Sequence, residues 1–276
     1  MNSKPKSGYD HQYRTHFDAI VTDYDKTRPE YPSELYTDLF NFTKPASGKK
    51  ALEIGAGTGK ATTPFLDAGY DVTAVEIGAN MSDFLKEKFA AYKNFNVITA
   101  AFEDVDLQEN TYDLIYSATA FHWVDKEVGC PKVFRLLKDD GVFANFRYNY
   151  FPADSNALHE DIQAVYEKYY YSHYQKNLLT LRKPDVNLHD PDEILRRTKH
   201  DELHTYGFKD VTMKLYESQV TSSVDEHLAS LDTFSDHINL PDENRAALYA
   251  GIKEVTLRHG GYRTADMVYQ LYMGRK

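Results

Sequence analysis

Residues 51–60 read A-L-E-I-G-A-G-T-G-K, and they restrict the fold more than any other part of the chain. A short apolar run leads into glycines at alternate positions, Gly55, Gly57 and Gly59, and a helix-like pattern begins at Ala61. A strand that turns this sharply into a helix needs backbone conformations open to glycine, and it leaves amide N–H groups facing a ligand. Such a turn belongs to a sheet of mostly parallel strands with helices on both faces.

The rest of the chain supports that frame. Residues 50–54 form a first strand, 60–68 the helix behind the loop, and 71–76 a second strand ending on Glu76. Met81, Phe84, Leu85, Phe89 and Tyr92 then recur at helical spacing. Residues 96–100 and 112–117 are two further strands. Val133, Phe134 and Leu137 line a helix that becomes regular from Pro131, and Asp139-Asp140-Gly141 turns into a fifth strand at 142–147. Upstream, Pro29 and Pro32 interrupt the chain before a helix at 33–42 capped by Ser33.

After Tyr150 the alternation stops. Residues 155–175 read as an amphipathic helix with Ile162, Val165, Tyr166, Tyr169, Tyr170 and His173 on one face, 177–190 as irregular, and 192–199 as helical. We read 151–203 as an insertion, a helical lid over the top of the sheet. A core pattern resumes with a strand at 211–217 and a helix opened by the capping-box pair Ser223 and Glu226. A helix at 242–258, closed by Gly260-Gly261, precedes a last strand at 266–273. The expectation is an α/β, Rossmann-like, doubly wound fold in one domain, with its core in 17–150 and 204–276.

Composition narrows the partners. A formal net charge of −10, from 42 acidic and 32 basic residues, disfavours a nucleic-acid backbone and leaves small molecules as the default. One cysteine, Cys130, allows no disulfide framework and no cysteine metal site, as suits a reducing compartment. The first thirteen residues are polar, and no apolar run approaches the ~18 residues of a membrane span. A soluble, cytoplasmic protein, monomeric or homodimeric, without membrane contact or metal, is expected.

The spacing of the glycines bears on the ligand. A dinucleotide loop reads G-x-G-x-x-G, which from Gly55 would put its third glycine at position 60, held here by Lys60. Nor is Lys60 followed by the Ser or Thr of a P-loop. Glu53 stands two residues before the first glycine, a poor companion for a pyrophosphate and a good one for positive charge. S-adenosyl-L-methionine carries a sulfonium and an ammonium and no phosphate. Glu76 ends its strand 21 positions after Gly55, where an acid can accept both hydroxyls of a ribose.

Together, E-I-G-A-G-T-G, the strand end at Glu76, D-L-I-Y-S-A-T-A-F-H-W-V-D and R-L-L-K-D-D-G resemble the motifs of class I S-adenosylmethionine-dependent methyltransferases. Y-D-K-T-R-P-E-Y-P and H-W-V-D further resemble the type 11 branch that includes trans-aconitate methyltransferase-like enzymes. The resemblance covers about 17–147 and implies a seven-stranded sheet whose final strand is antiparallel. It also implies that Glu53, Gly55, Ala56 and Gly57 face the methionine end of the cofactor, that Glu76 holds the ribose, and that Phe102 and Glu103 lie beside the adenine. Ala101 departs from the pattern, standing where an aspartate often binds the adenine amino group. Ser117, at the end of the fourth strand, is counted with the cofactor set.

Methyl transfer needs alignment of nucleophile, methyl and sulfur more than a catalytic constellation, and no triad or metal-type spacing is present in the sequence. His122 reads equally as a base or acceptor-orienting donor and as a buried histidine bonded to backbone; Trp123 beside it reads as packing. Tyr24 and Arg28 either fold over the cofactor or, with Arg147, clamp an acidic acceptor. The expected function is transfer of a methyl group to a small-molecule acceptor, with a carboxylate as one candidate. A non-catalytic S-adenosylmethionine-binding regulator and an NAD-type oxidoreductase are the alternatives.

Overall fold

The computed structural model describes residues 15–174 and 202–276. The predicted irregular stretch 177–190 and helix 192–199 lie outside them. Seven strands form one sheet: β1 (Lys50–Ile54), β2 (Asp71–Glu76), β3 (Phe95–Thr99), β4 (Tyr112–Ala118), β5 (Leu137–Pro152), β6 (Lys209–Ser223) and β7 (Tyr262–Arg275). Their order is β3-β2-β1-β4-β5-β7-β6. The strands β3 to β5 pair in parallel, and β7 runs antiparallel to both β5 and β6.

Helices cover both faces: α1 (Val21–Thr27), α2 (Ser33–Thr43), α3 (Thr62–Asp67), α4 (Ala79–Lys88), α5 (Lys126–Leu136), α6 (Asn156–Tyr166), α7 (Val224–Leu231), α8 (Ser235–Ile238) and α9 (Asp242–Arg258). This double cover is why β1, after the exposed Lys50, is buried throughout and apolar apart from Glu53, instead of alternating. On one face Leu35 and Leu39 of α2, Phe65 of α3 and Leu85 of α4 meet Val72, Leu114, Tyr116 and Phe146 of the sheet. On the other, Cys130, Val133 and Leu136 of α5 meet Leu52, Ile54, Ile115 and Phe143. Each such side chain contributes about 1.5–3 kcal/mol on burial. A third cluster joins Tyr170 and Tyr171, beyond α6, to Leu231, Leu240, Leu248 and Ile252, making a helical cap beside the sheet.

Several elements differ from the sequence expectation. The helix behind the glycine loop starts at Thr62, because the loop turns through Gly59 at φ +74° before the chain can wind. Pro32, not Ser33, is the cap of α2; Ser33 is its first helical residue and its hydroxyl donates to Glu34. α5 starts at Lys126, ahead of Pro131, since the Asp125 carboxylate accepts the Glu127 N–H at 3.0 Å and nucleates the first turn. β5, β6 and β7 run to 16, 15 and 14 residues, far past their predicted ends, because each gains antiparallel pairing that a sequence window does not contain. The single helix expected at 155–175 is α6 followed by a π-helical turn, Glu167–Tyr171, and a last turn, Ser172–Tyr174; residue 175 lies outside the described residues. The Ser223–Glu226 capping box forms in full at the start of α7.

β1 lies between β2 and β4, so the connections leaving β1 and β4 diverge to opposite faces. A crevice opens at that point, beyond the carboxyl ends of the strands, which is where sheets of this kind bind ligands.

Candidate functional site

A cleft of about 1160 Å³ occupies the crevice, bounded by the ends of β1, β2, β4 and β5, by the segment after β3, and by the N-terminal residues that pass over it. All three loop glycines have positive φ: +69° at Gly55, +56° at Gly57 and +74° at Gly59. A Cβ on Gly55 would stand 2.5 Å from that of Ala120, so this glycine lets β1 and the β4 loop approach. A Cβ on Gly59 would meet Phe89 and Leu85, so the third glycine serves packing against α4.

Glu76 ties the cleft floor together. Its Oε2 accepts the Gly57 N–H at 2.8 Å and its Oε1 the Gly78 N–H at 2.9 Å, linking the loops after β1 and β2. Burial raises its pKa, and these backbone donors offset only part of that rise. The arrangement tests the kind of ligand the loop can take. The Gly57 amide, the donor that a phosphate would use, already serves a carboxylate. An anion there would face Glu76, whereas a ligand offering hydroxyl or ammonium donors complements it. Ala56, Gly57, Ile77, Ala101, Phe102 and Glu103 share this end of the cleft. Phe102 is buried under the Lys132 ammonium, 5.1 Å from the ring centre, and Glu103 Oε1 accepts the Asp125 N–H at 3.1 Å.

Two expected members of the cofactor set stand elsewhere. Glu53 does not line the cleft; it is 1 % exposed, and its Oε2 accepts the hydroxyls of Thr62, at 2.6 Å, and Tyr116, at 3.0 Å. Its Oε1 is buried without a partner. Burial pushes its pKa up to about 7, against those two hydrogen bonds, so Glu53 is a readily protonated core group and a weak source of negative charge for the loop. A β-strand alternates its side chains, and Glu53 falls on the face that α2 and α3 cover. Ser117 is fully buried as well; its hydroxyl donates to the Ile54 carbonyl at 2.8 Å and ties β4 to β1. The cleft is lined instead by Ala118, Thr119 and Ala120, just beyond it.

The other end of the cleft is aromatic and basic. Arg28, Tyr31, His122, Trp123, Arg147, Tyr148, Tyr150 and Phe234 line it, and Tyr24 stands between the two ends, beside both Gly57 and Arg28. The Arg28 guanidinium lies 4.3 Å from the Phe234 ring centre and 4.9 Å from that of Tyr24, donates through Nη2 to the Thr233 carbonyl, and leaves Nε buried without a partner. Burial opposes its charge, but Tyr24 and Tyr148 more than offset this, so Arg28 stays a cation. Arg147 donates to Gln270 Oε1 at 3.0 Å. His122 sits in a 3-10 turn, Phe121–Trp123, after β4. Burial and the nearby Arg147 push its pKa down to about 4, so the imidazole is neutral at neutral pH and a weak base.

Thr119, which the sequence did not single out, holds φ +53°, unusual for a β-branched residue, and its Oγ1 lies 2.6 Å from the Tyr31 hydroxyl. Asp18, also missed, lines the cleft and accepts the Met81 N–H at 2.9 Å. No local signal marked it, because its partner is the start of a helix 63 positions away. Among the described residues, no cluster of three or more His, Cys, Asp or Glu is placed to hold a metal, and no helix is long and apolar enough to cross a membrane.

Comparison with known proteins agrees with this geometry. Residues 52–145 match the family described as "Methyltransferase domain". An uncharacterized methyltransferase of Mycobacterium tuberculosis is 36% identical over 125 residues, 45% of this chain and 49% of that protein. The match thus spans about half the length of that curated relative. An uncharacterized methyltransferase of Schizosaccharomyces pombe is 26% identical over 247 residues, 87% of this chain and 86% of that protein. Among solved structures, Haemonchus contortus phosphoethanolamine N-methyltransferase 2, in complex with phosphomonomethylethanolamine and S-adenosylhomocysteine, superposes with a TM-score of 0.55 at 16% identity. That superposition covers 99% of this chain and 61% of the other, and at such identity it speaks to the fold alone. Residues 52–145 match the methyltransferase-domain family, and the chain has the Rossmann-like methyltransferase fold.

Proposed function

We propose that this protein is an S-adenosyl-L-methionine-dependent methyltransferase acting on a small-molecule acceptor. The observation that carries the reading is the Glu76 carboxylate at the cleft floor, bonded to the amides of Gly57 and Gly78. It makes that end of the cleft a site for hydroxyl and ammonium donors and a poor one for phosphate. Bound there, the cofactor would supply a sulfonium-activated methyl group. Glu76 would accept the ribose hydroxyls, Ala56 and Gly57 would approach through backbone, and Phe102 with Glu103 would border the adenine. Glu53 supports the loop from below.

At the other end, two arginines line a chamber walled by Tyr24, Tyr31, Tyr148, Tyr150 and Phe234. Cationic side chains on an aromatic wall suit an anionic acceptor with an apolar or planar body. A carboxylate fits best: it arrives as an anion, so no base is needed, and the site offers none that is strong, since His122 is neutral with a pKa near 4. His122 then acts as an orienting group. The narrower kinship with trans-aconitate methyltransferase-like enzymes rests on Y-D-K-T-R-P-E-Y-P and H-W-V-D. We also propose the division into a core, 17–150 and 204–276, and a covering insertion, 151–203. A cytoplasmic protein, monomeric or dimeric, remains our expectation from composition.

A labelled-methyl assay against a panel of carboxylic acids, amines and phenols tests the reading. Cofactor-dependent labelling of a carboxylic acid as a base-labile ester is expected. Labelling only of amines would overturn the carboxylate assignment, and saturable cofactor binding without any turnover would leave a regulatory binding protein.

A further inference from the structure

We propose that residues 15–32 form a strap latched across the cofactor end of the cleft, and that Asp18 is the positioning residue whose latch controls ligand exchange. The ligand's identity rests on the function proposed above; the strap and its latch do not.

The strap is tied down at the two loops that Glu76 joins. Over the first loop, the Tyr24 ring lies 3.8 Å from where a Gly57 Cβ would stand. Over the second, Asp18 fills the hollow left by Gly78, where any Cβ would overlap its Oδ1. That oxygen accepts the Met81 N–H at 2.9 Å, and Asn80 Nδ2 donates to the Asp18 carbonyl at 3.0 Å. α4 begins at Ala79, and its own cap residue, Gly78, has no side chain. Asp18 therefore supplies from a distant segment the capping oxygen that the helix lacks, and its charge faces the positive end of the helix.

Further along, Phe17 meets the Trp123 ring edge-on at 5.9 Å, across the mouth of the cleft. Arg28 fastens the far end to the Thr233 carbonyl and the Phe234 ring. Beneath this span lie Glu76, Ile77 and the glycine loop. The ties along its middle, Asp25 to Lys88 at 3.2 Å and Glu30 to Lys60 at 2.8 Å, are partly exposed ion pairs of the kind that contributes little, while Arg28 and the Tyr31 hydroxyl, 2.6 Å from Thr119 Oγ1, hold the far end. The Asp18–Met81 bond is charge-assisted, directed at a backbone amide and seated in a shaped hollow. It is the tie whose loss frees the near end of the strap, over Gly78.

Three variants separate a latch from other roles. Asp18→Ala removes the capping oxygen. Gly78→Ala keeps Asp18 and fills the hollow, and its φ of −78° suits alanine, so α4 itself is undisturbed. Asp18→Asn keeps an acceptor oxygen without the charge. Trp123 is the only tryptophan of the chain, so its fluorescence reports on Phe17 above it.

In the ligand-free protein, acrylamide quenching of Trp123 is expected to rise in Asp18→Ala and Gly78→Ala and to rise less in Asp18→Asn, which keeps the acceptor but not the charge. In stopped-flow release of S-adenosylhomocysteine, the first two are expected to be about 5- to 30-fold faster, the factor that losing a helix cap predicts. Their double variant should add little beyond either alone. Wild-type quenching and release in both Asp18→Ala and Gly78→Ala overturn the latch. So does an Asp18→Asn with quenching near wild type that releases S-adenosylhomocysteine as fast as Asp18→Ala, which would assign the carboxylate a direct charge on the ligand. If the wild-type protein binds no S-adenosylhomocysteine, the proposed function fails while the quenching series still decides the strap.

Discussion

Glu53 and Glu76 stand at the ends of neighbouring strands, and their surroundings give them different parts. Glu76 accepts two backbone amides at the cleft, whereas Glu53 is sealed in the core between two hydroxyl groups with one oxygen unpartnered. Glu53 keeps its proton to about pH 7 when folded, against an ordinary 4.5. Between those values the folded state holds the extra proton, so this group's contribution to stability falls as pH rises, by about 3 kcal/mol in all. His122 has the opposite sign: its folded pKa of about 4 lies below the ordinary 6.5, so its contribution grows as pH rises through that window. Glu53→Gln removes the first effect and leaves the second. Its stability relative to wild type should climb by about 3 kcal/mol from pH 4.5 to 7 and then level off, as urea unfolding at several pH values will read. A difference that does not change with pH contradicts the assignment. His122 should show an NMR titration midpoint near 4 and none between pH 6 and 8. A midpoint above 6 would restore it as a candidate base.

At the scale of elements, the glycine loop divides its labour. Gly57 lies on the cleft and Gly59 does not; the latter makes room for Phe89 and Leu85. Gly59→Ala should therefore lower stability by about 1–3 kcal/mol, through strain and overpacking, and change cofactor affinity less than Gly57→Val does. Denaturation and calorimetry on both variants check this; a Gly59→Ala protein of wild-type stability that loses affinity would reverse the roles. The sequence made the loop, β1, β2 and α9 legible because glycine spacing, apolar runs and capping residues are local signals. It did not reveal the length of β5, β6 and β7, since antiparallel partners more than a hundred positions away extend β5. Nor did it reveal that Glu53 and Ser117 are buried off the cleft. Residue type and position in a motif mark the strand end, but the strand's pleat decides which face a side chain takes.

For the whole molecule, the reversal of strand order at β1 and β4 creates the crevice, the long β5 carries Arg147, Tyr148 and Tyr150 up its side, and the strap and helical cap close it. The glycine loop and Glu76 were readable as local motifs, whereas Asp18 was not, because only the fold brings its segment to them. At the other end of the cleft the motifs named Arg28, His122 and Arg147 but not Phe234, which only the fold brings beside them. If that end takes an acid, Arg28→Lys should raise the acceptor KM by about tenfold or more while leaving cofactor affinity within twofold, since an ammonium cannot reproduce the planar guanidinium. Equal loss of both would place Arg28 on the cofactor instead. The central claim is that the Glu76-bridged loops hold S-adenosyl-L-methionine. Isothermal titration of the wild-type, Gly57→Val and Glu76→Ala proteins with S-adenosyl-L-methionine and, separately, NADH tests it most directly. The account predicts one S-adenosyl-L-methionine site per chain, weakened at least ~10-fold by each substitution, and no NADH binding. Unchanged affinity in a folded Gly57→Val or Glu76→Ala protein, or NADH binding in place of S-adenosyl-L-methionine, would contradict it.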